Sequence, residues 1–430
     1  MALTLEQDGL LTRVGPGTPM GEMLREYWTP AVRSAALEAD GAPERVRLLG
    51  ENFVAFRATD GRVGFVDEAC PHRRASLALG RNEDNGLRCI FHGWKISVDG
   101  KIVDTPCEPA DRRVAFAAAQ NVRAFPVHEV GGIVWVYLGK QALPPRFPAF
   151  EFTALPESHV DIRRGLVPYN WMQGLEAHID SSHVGVLHGG FISKGGGAAQ
   201  LRDLSLTMVD NSPLFEMDVT SYGLREGALR EVGDGRTYAR IRQIALPYFT
   251  FIPGAKGDVC SGRATVPVDD DWDAEWYIVY DPDQPLSAET LAGLYRGASQ
   301  DPDDFTANIG TRENSWHQDR AAMKAGHWSG LTRNIPFEDF IIQASMGSRV
   351  DRSKEQLGAA DAILVRVRRL LLDAVEAFQR GEPPAWQSAD IDYPKIRALA
   401  VTFPRGRDWR EFAPDLQADG DVTPTRTAAE

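Results

Sequence analysis

Two short boxes of cysteine and histidine constrain the fold of this chain more than any other feature. Cys70 and His72 form a C-x-H box, and Cys89 and His92 form a C-x-x-H box, within the stretch CPHRRASLALGRNEDNGLRCIFHGW. A metal centre that takes ligands from both boxes requires the chain to bring two separate loops together. We therefore expect a small domain in which two tight loops face each other.

Three interpretations of these four residues are open. They are ordinary thiols and histidines that occur together by chance, a structural zinc site, or a Rieske [2Fe-2S] cluster, in which two thiolates hold one iron and two imidazoles hold the other. The interleaving of Cys with His favours the cluster, because each loop then gives one ligand to each iron. Only four cysteines occur in the chain, which is too few for a disulfide framework and favours a reducing compartment.

The rest of the sequence predicts two domains of class α+β. The chain has 430 residues, and the segment KQALPPRFPAFEFTALPE is rich in proline. We place the boundary there, between residues 1–150 and 151–430. Short β-rich runs such as RVRLLGENFVAFR predict small antiparallel sheets in the first part. The second part has longer strands such as TYARIRQIALPYFTFIP and an amphipathic helix in AADAILVRVRRLLLDAVEAFQRG.

The charge balance restricts the partners of the protein. The net charge is −13, from 47 basic and 60 acidic residues, which argues against nucleic acid or an anionic membrane as a main partner. The sequence begins without a basic segment followed by an apolar one, and no window offers about 18 uninterrupted apolar residues. We therefore expect a cytoplasmic protein with no membrane association.

A second metal site is predicted by the segment EAHIDSSHVGVLHGG, which contains Glu176, His178, Asp180, His183 and His188. We interpret His183 and His188 as the imidazoles of a 2-His-1-carboxylate Fe2+ site, which leaves coordination positions open for dioxygen. On a straight helix these two residues would point about 140° apart, so the helix must bend or carry a π-bulge. Glu176 and His178 are candidates for contacts to the ligands.

Two glycines and one aspartate add to this prediction. Gly185 and Gly189 make a distortion of the helix easy. Asp180 lies three residues before His183 and is expected on the same helix face. The third ligand is left open by spacing alone, and the candidates lie in NIPFEDFIIQASMGSRVDRSKEQLGAAD: Glu338, Asp339, Asp351 and Asp361. Of these, Asp351 stands beside Arg352, which is typical of an ordinary ion pair.

These motifs resemble those of the Rieske non-haem iron oxygenases, whose catalytic subunits carry CPHR followed by C-x-x-HGW. The segments LTRVGPGTPMGEMLREYWTPA and RVRLLGENFVAF are similar to the phthalate dioxygenase branch, and the resemblance extends over nearly the whole chain. It implies a Rieske β-domain followed by a helix-grip (START-like) catalytic domain with a large antiparallel sheet. It also implies that Asp339 is the third iron ligand.

The resemblance further implies a role for Asp180 and an oligomer. In these oxygenases the matching aspartate connects an iron-ligand histidine with a Rieske histidine of the neighbouring subunit. Here it would couple His183 with His92 of a second copy, which requires a homo-oligomer such as a homotrimer or a dimer of trimers.

The activity that the resemblance implies is that of a terminal oxygenase in a two-component system for aromatic catabolism. A flavin and iron-sulfur reductase would supply electrons from NAD(P)H, and O2 would be the co-substrate. Hydroxylation of a small aromatic acid such as phthalate is expected, with Arg225 and Arg240 binding its carboxylate. O-demethylation of an aryl ether such as a methoxybenzoate, a monooxygenase reaction, is the alternative. A non-catalytic electron carrier and a zinc-stabilised binding module are alternatives from another class.

Overall fold

The computed structural model describes residues 3–141, 143–193 and 203–416, and the chain divides into two compact units. The N-terminal unit consists of Arg13–Phe147 and the short segment Val266–Asp270. The sheet unit consists of the chain up to Thr12, of Pro148–Thr265, and of the chain from Asp271 onward. The change of unit at Phe147 lies inside the proline-rich segment. Two segments do not follow a single cut at residue 150: the first helix, α1 (Leu5–Thr12), belongs to the sheet unit, and Val266–Asp270 belongs to the N-terminal unit.

The N-terminal unit is built from three small antiparallel sheets, with the strand orders β1-β10-β9, β2-β3-β4 and β5-β6-β7-β8. Its strands are β1 (Thr29–Arg33), β2 (Glu44–Leu48), β3 (Glu51–Arg57), β4 (Val63–Asp67), β5 (Arg81–Glu83), β6 (Gly86–Arg88), β7 (Lys95–Ile96), β8 (Ile102–Asp104), β9 (Val127–Val130) and β10 (Ile133–Val136). Its helices are α2 (Pro19–Arg25) and α3 (Arg113–Ala118). The predicted small sheets are therefore present, and Cys70 and Cys89 belong to a core cluster with Phe56 and Trp94.

The sheet unit is organised around one large antiparallel sheet with the strand order β11-β17-β16-β15-β14-β13-β12, and β18 also pairs with β14. Its strands are β11 (Val160–Val167), β12 (Leu214–Thr220), β13 (Gly223–Glu231), β14 (Arg236–Ala245), β15 (Phe249–Ile252), β16 (Cys260–Pro267), β17 (Asp273–Tyr280) and β18 (Leu399–Pro404). Long β-rich runs separated by tight turns explain this arrangement, since hairpins place consecutive strands side by side. The fold is α+β, as predicted.

The helices of the sheet unit carry the residues that the sequence singles out. They are α4 (Trp171–Ile179), α5 (Val184–Leu187), α6 (Gly189–Ile192), α7 (Ala288–Leu294), α8 (Arg320–Lys324), α9 (Ile335–Ser345) and α10 (Ala362–Gln379). The predicted amphipathic helix is α10, and Gly381 follows it with φ +85°, as is common after a helix C-terminus. Within the described ranges, no helix combines the length and the apolar character that crossing a bilayer requires.

One side chain of α4 forms two hydrogen bonds, one with the last turn of α9 and one with the residues that follow that helix. The amide nitrogen of Gln173 on α4 donates to the carbonyl oxygens of Gln343, at 3.1 Å, and Gly347, at 3.0 Å. Gln173 is almost fully buried, so these bonds are protected from water. The start of α9 lies close to the segment that follows α4, since a carboxylate oxygen of Asp339 is 3.4 Å from Nε2 of His183.

Candidate metal centres and substrate cavity

The two cysteine boxes lie on loops with the same backbone hydrogen bonds. The amide of Cys70 donates to the carbonyl five residues later at 2.8 Å, and the amide of Arg74 donates back to the Cys70 carbonyl at 2.9 Å. Cys89 repeats the pattern at 2.8 Å, with the amide of Gly93 donating back at 3.0 Å. Arg74 and Gly93 both have positive φ, at 64° and 75°. Two loops of equal form therefore present the four side chains.

The four side chains separate into an inner and an outer pair. Cys70 and Cys89 are buried, with 1% and 2% exposure, whereas His72 is exposed and His92 is half-buried. The centroids of the two imidazole rings lie 4.5 Å apart, and the ring of His72 stacks on Trp94 at 4.8 Å. This is the division that the interleaved boxes predict for a Rieske cluster, with thiolates inside and imidazoles outside.

The chemistry of the pair of thiols fits a metal cluster. Burial raises the pKa of Cys70 to about 11, although backbone amides of its own loop donate to the sulfur. A thiol in this environment stays protonated at neutral pH unless a metal binds it. The Nδ1 atom of His92 is buried without a hydrogen-bond partner among the described residues. The donor set is therefore incomplete without a bound group.

The segment that contains the predicted iron ligands is not a bent helix but two helices with a break between them. Asn170 caps the N-terminus of α4, and the helix ends at Ile179 because Asp180 has extended backbone angles, φ −74° and ψ 122°. Its carboxylate accepts a hydrogen bond from the amide of Ser182 at 2.7 Å and so stabilises the turn. Asp180 and His183 therefore lie at the two ends of a loop, and the prediction that they share one helix face is wrong.

The expected role of the two glycines also needs correction. Neither Gly185 nor Gly189 has a positive φ, so the break does not depend on their conformational freedom. Gly185 is required for packing instead, since a Cβ atom there would lie 2.4 Å from the carbonyl oxygen of Thr207. At Gly189 the nearest atom of a described residue to such a Cβ would be Cε of Met208, at 3.6 Å.

His183, His188 and Asp339 come together at one point. The Nε2 atoms of His183 and His188 lie 3.4 and 3.2 Å from the same carboxylate oxygen of Asp339. The three potential ligand atoms are all within 4.8 Å of one another. His188 is 3% exposed, and the side chains of His183 and Asp339 are 22% and 18% exposed. The predicted triad is therefore assembled, although its third member is about 150 residues away in sequence.

Each imidazole also has a carboxylate on its other nitrogen. Nδ1 of His183 lies 3.0 Å from Asp180, and Nδ1 of His188 lies 2.7 Å from Glu338. A carboxylate accepts hydrogen bonds, so each contact holds a ring proton on Nδ1 and turns Nε2 towards Asp339. Two imidazole nitrogens and a carboxylate oxygen that face one another can hold a metal cation between them in place of protons.

The pKa of His188 shows the effect of the negative charge around this site. Burial lowers its pKa, but the carboxylates of Asp339 and Glu338 outweigh that effect and raise the pKa of His188 to about 9. Burial acts to raise the pKa of Asp339, but His188 and His183 outweigh it and lower that pKa. Two imidazoles and one carboxylate at this spacing are the donor set that ferrous iron takes in 2-His-1-carboxylate sites. The residues fit a mononuclear iron.

The other candidate carboxylates have different partners. Asp351 forms an ion pair with Lys354 at 2.8 Å, and not with Arg352. Asp361 accepts from the amide of Gly358 at 2.7 Å.

The two remaining candidates from the histidine segment are separated by the structure. Glu176 forms a buried ion network with Arg352, at 2.9 Å, and Arg368, at 2.7 Å, and does not line the cavity beside the triad. His178 lines that cavity, and its Nε2 atom lies 3.4 Å from the buried carboxylate of Glu275. Burial lowers the pKa of His178 to about 3, so this imidazole is neutral.

A cavity of about 380 Å³ lies beside the triad and is mainly apolar, with a cationic part. Its apolar wall includes Val184, Phe191, Ile252, Val259, Tyr277 and Leu294. Five arginines contribute to the lining: Arg240, Arg242, Arg263, Arg296 and Arg333. A volume of this size suits a small ring compound, and the arginines favour a negative group on it.

The two arginines that the sequence proposes for substrate lie on opposite faces of the sheet. Arg240 lines the cavity, but Arg225 does not, and the prediction for Arg225 is wrong in this respect. In the β13–β14 hairpin, Arg225 pairs with Gln243, whereas Arg240 pairs with Ala228. Side chains alternate along a strand, so residues 225 and 228 point to opposite faces. Arg225 forms ion pairs with carboxylates on the reverse face, including Asp415 at 2.9 Å.

Arg240 differs from its neighbour Arg242 in its partners. Arg242 forms a buried ion pair with Glu226 at 2.7 Å. Arg240 is only 4% exposed, its Nε has no hydrogen-bond partner, and it forms no ion pair with any residue of the described ranges. A buried cation without a counter-ion at the wall of a cavity is the feature expected of an anion-binding group.

Sequence reasoning missed Arg263. It lies on β16, lines the cavity, and stacks on Tyr277 with its guanidinium carbon 3.7 Å from the ring centroid. The signal for it in the sequence is the alternation in CSGRATVP, which places Arg263 on the same strand face as Ser261. That run is short and contains glycine, which weakens the strand signal.

Comparison with known protein families and curated relatives agrees with these observations. Residues 27–126 match the family described as "Rieske [2Fe-2S] domain", and residues 136–427 match "LigXa C-terminal domain like". The phthalate 4,5-dioxygenase oxygenase subunit of Pseudomonas putida is 38% identical over 95% of this chain and 94% of the relative. The 3-chlorobenzoate-3,4-dioxygenase oxygenase subunit of Comamonas testosteroni is 36% identical, over 98% of this chain and 100% of the relative.

A third relative and a solved structure extend the comparison. The 5,5'-dehydrodivanillate O-demethylase oxygenase subunit of Sphingobium sp. is 30% identical over 89% of this chain and 82% of the relative. The structure of NdmA from Pseudomonas putida CBB5 with caffeine has a TM-score of 0.57 at 18% identity, and the match covers 91% of this chain and 99% of that one. At that identity the likeness concerns the fold.

Proposed function

This chain belongs to the Rieske non-haem iron oxygenases as an oxygenase subunit with a [2Fe-2S] cluster and a mononuclear iron that uses O2, and we propose that it hydroxylates the ring of an aromatic carboxylate. The observation that carries the substrate assignment is Arg240, a buried cation without a counter-ion among the described residues, at the wall of a mainly apolar cavity. The cavity adjoins the convergence point of His183, His188 and Asp339.

We assign the ligands residue by residue. Cys70, His72, Cys89 and His92 hold the cluster, and His183, His188 and Asp339 hold Fe2+, which supplies the activation of dioxygen when it is bound. Asp180 and Glu338 keep the ring protons of the two histidines on Nδ1, so that both Nε2 atoms are available as donors. Asp339 contributes the negative charge that offsets a divalent cation.

The cavity residues are assigned to substrate binding and to the exclusion of water. Arg240 binds the substrate carboxylate, and Arg263, held by Tyr277, adds a second positive charge. The apolar residues, among them Phe191 and Ile252, contact the ring and keep water from the reacting face. Addition of both atoms of O2 to a ring requires two electrons and two protons in addition to the substrate.

We further assign the electron supply to a separate protein and to a second copy of this chain. A reductase with flavin and iron-sulfur groups, which oxidises NAD(P)H, would donate to the cluster. The relatives are named as oxygenase subunits, which supports a separate donor. Asp180, whose side chain is 26% exposed, accepts from His183, and we propose that it also contacts His92 of a second copy. This assignment requires a homo-oligomer.

The experiment that tests the substrate proposal uses 18O2. The purified protein with a reductase and NAD(P)H is supplied with phthalate, benzoates and methoxybenzoates, and the products are analysed by mass spectrometry. A ring product with two 18O atoms is expected from an aromatic acid, and turnover of neutral aromatics only would contradict the proposal.

O-Demethylation is the second candidate, and the relative named 5,5'-dehydrodivanillate O-demethylase oxygenase subunit favours it. It predicts formaldehyde and a free phenol from a methoxybenzoate, with no dihydrodiol from phthalate. The same assay therefore separates the two reactions.

A further inference from the structure

Glu338 is a buried carboxylate that the proposed function uses only in passing. It is 0% exposed, and it precedes Asp339 at the start of α9. One of its oxygens lies 2.7 Å from Nδ1 of His188, and the other accepts a hydrogen bond from the hydroxyl of Ser329. Its two oxygens therefore each have one partner, and neither partner is a lysine or an arginine.

The consecutive acids of α9 contact the same imidazole from both sides. Neighbouring residues on a helix point about 100° apart, so Glu338 and Asp339 diverge and leave space for a ring between them. His188 occupies that space, with Glu338 2.7 Å from Nδ1 and Asp339 3.2 Å from Nε2. Asn334 caps this helix by accepting from the amide of Phe337 at 3.0 Å, which fixes the position of both acids.

We propose that Glu338 is a positioning residue that holds the proton of His188 on Nδ1 and thereby sets the affinity of the site for Fe2+. The inference rests on the proposed function, in which Nε2 of His188 is an iron ligand. Without a carboxylate at Nδ1, the neutral ring is free to carry its proton on Nε2 instead, and that tautomer cannot bind a metal through Nε2. Loss of Glu338 therefore lowers the affinity for Fe2+ itself, which can be measured without turnover.

Glu338 differs from Asp180, which has the corresponding contact with His183. The side chain of Asp180 is 26% exposed and its contact is 3.0 Å long, so water competes for the same donor. The contact of Glu338 is shorter, and both of its partners are buried. Metal retention is thus expected to depend more on Glu338 than on Asp180.

The test is anaerobic competition for Fe2+ between the full-length protein and a chromophoric chelator. Glu338→Ala is expected to weaken Fe2+ binding by about 10- to 100-fold, as loss of such outer carboxylates does at other metal sites. Glu338→Gln is expected to weaken it less, because its amide oxygen still accepts from Nδ1. In metal-free protein, at a pH at which the His188 ring is neutral, the 15N shifts of wild type should show the proton on Nδ1, whereas those of Glu338→Ala should show a mixture of tautomers.

A matched control removes another buried carboxylate beside a histidine. Glu275 is also 0% exposed, and its neighbour His178 is not a proposed ligand, so Glu275→Gln should bind Fe2+ like wild type. If Glu338→Ala does not fold, Ser329→Ala replaces it in the test. This variant keeps the carboxylate but removes its hydrogen bond from Ser329, and it is expected to weaken Fe2+ binding slightly. Wild-type Fe2+ affinity in Glu338→Ala would overturn the proposal, as would wild-type affinity in both Glu338→Gln and Ser329→Ala if Glu338→Ala does not fold. Wild-type iron binding in His188→Ala would instead refute the iron assignment itself.

Discussion

Replacement of Arg240 tests the assignment of the substrate. A hydrogen bond between a side chain and a charged group contributes about 1.5–3 kcal/mol, so Arg240→Met is expected to lower kcat/KM for an aromatic carboxylate by about 10- to 150-fold. The loss should appear mainly in KM, because the carboxylate is bound equally before and during the reaction at the ring. Arg240→Lys keeps the charge but not the two parallel donors, and should fall between Met and wild type.

The assay compares the acid with its neutral carboxamide. Steady-state oxygen consumption is corrected for uncoupled turnover by product analysis, and the carboxamide should lose little when Arg240 is replaced. Arg225→Met is the control, since that arginine lies on the reverse face of the sheet in ion pairs with Asp218 and Asp415. It should lower the melting temperature and leave KM unchanged. An equal loss for acid and carboxamide in Arg240→Met would refute the reasoning.

Stability gives a second readout for the same side chain. Arg240 is buried, and within the described part of the chain it forms no ion pair. A cation in this position costs desolvation that no counter-ion offsets in the free protein. Arg240→Met should therefore raise or maintain the melting temperature without substrate, whereas a structural role would require it to fall.

Three further predictions concern other acidic side chains. Asp180→Asn should keep both metal centres but slow reoxidation of the reduced cluster at least about tenfold in stopped-flow single turnover, and an unchanged rate would exclude the bridge. Glu226→Ala leaves Arg242 buried without its partner and should cost about 3–5 kcal/mol in urea unfolding. Burial raises the pKa of Glu275 from 4.5 to about 8, so the folded state keeps a proton that the unfolded state releases, and stability falls as pH rises through that window. Glu275→Gln should reduce this dependence, and an unaltered pH profile would show that the carboxyl is ionised in the folded protein.

The boxes and their interleaving were readable from the sequence because their ligands are close neighbours along the chain. Loops held by local backbone hydrogen bonds need no distant residue to fix them, as Cys70 and Cys89 illustrate. The identity of the third iron ligand was not readable from spacing. Glu338 and Asp339 are adjacent on α9, and only the packing of that helix against α4 decides which of the two faces Nε2 of His188.

The sequence also failed where a single residue changes the course of the backbone. Helical spacing continues from α4 into α5, but Asp180 bonds to the amide of Ser182 and ends the first helix. Aspartate competes with the helix in this way through its short side chain. Arg225 and Arg240 were equivalent by strand pattern, and the pairing of Arg225 with Gln243 places them on opposite faces. Such register follows from the position of the turn.

Metal content and EPR on one anaerobically purified sample test the central claim that this chain holds both a cluster and a mononuclear iron. Iron, zinc and acid-labile sulfide are counted per chain, and the EPR spectrum is recorded after reduction with dithionite. The assignments predict three irons and two sulfides per chain with a Rieske-type signal, and loss of only one iron in His183→Ala. Zinc without sulfide, or an unchanged iron count in His183→Ala, would contradict them.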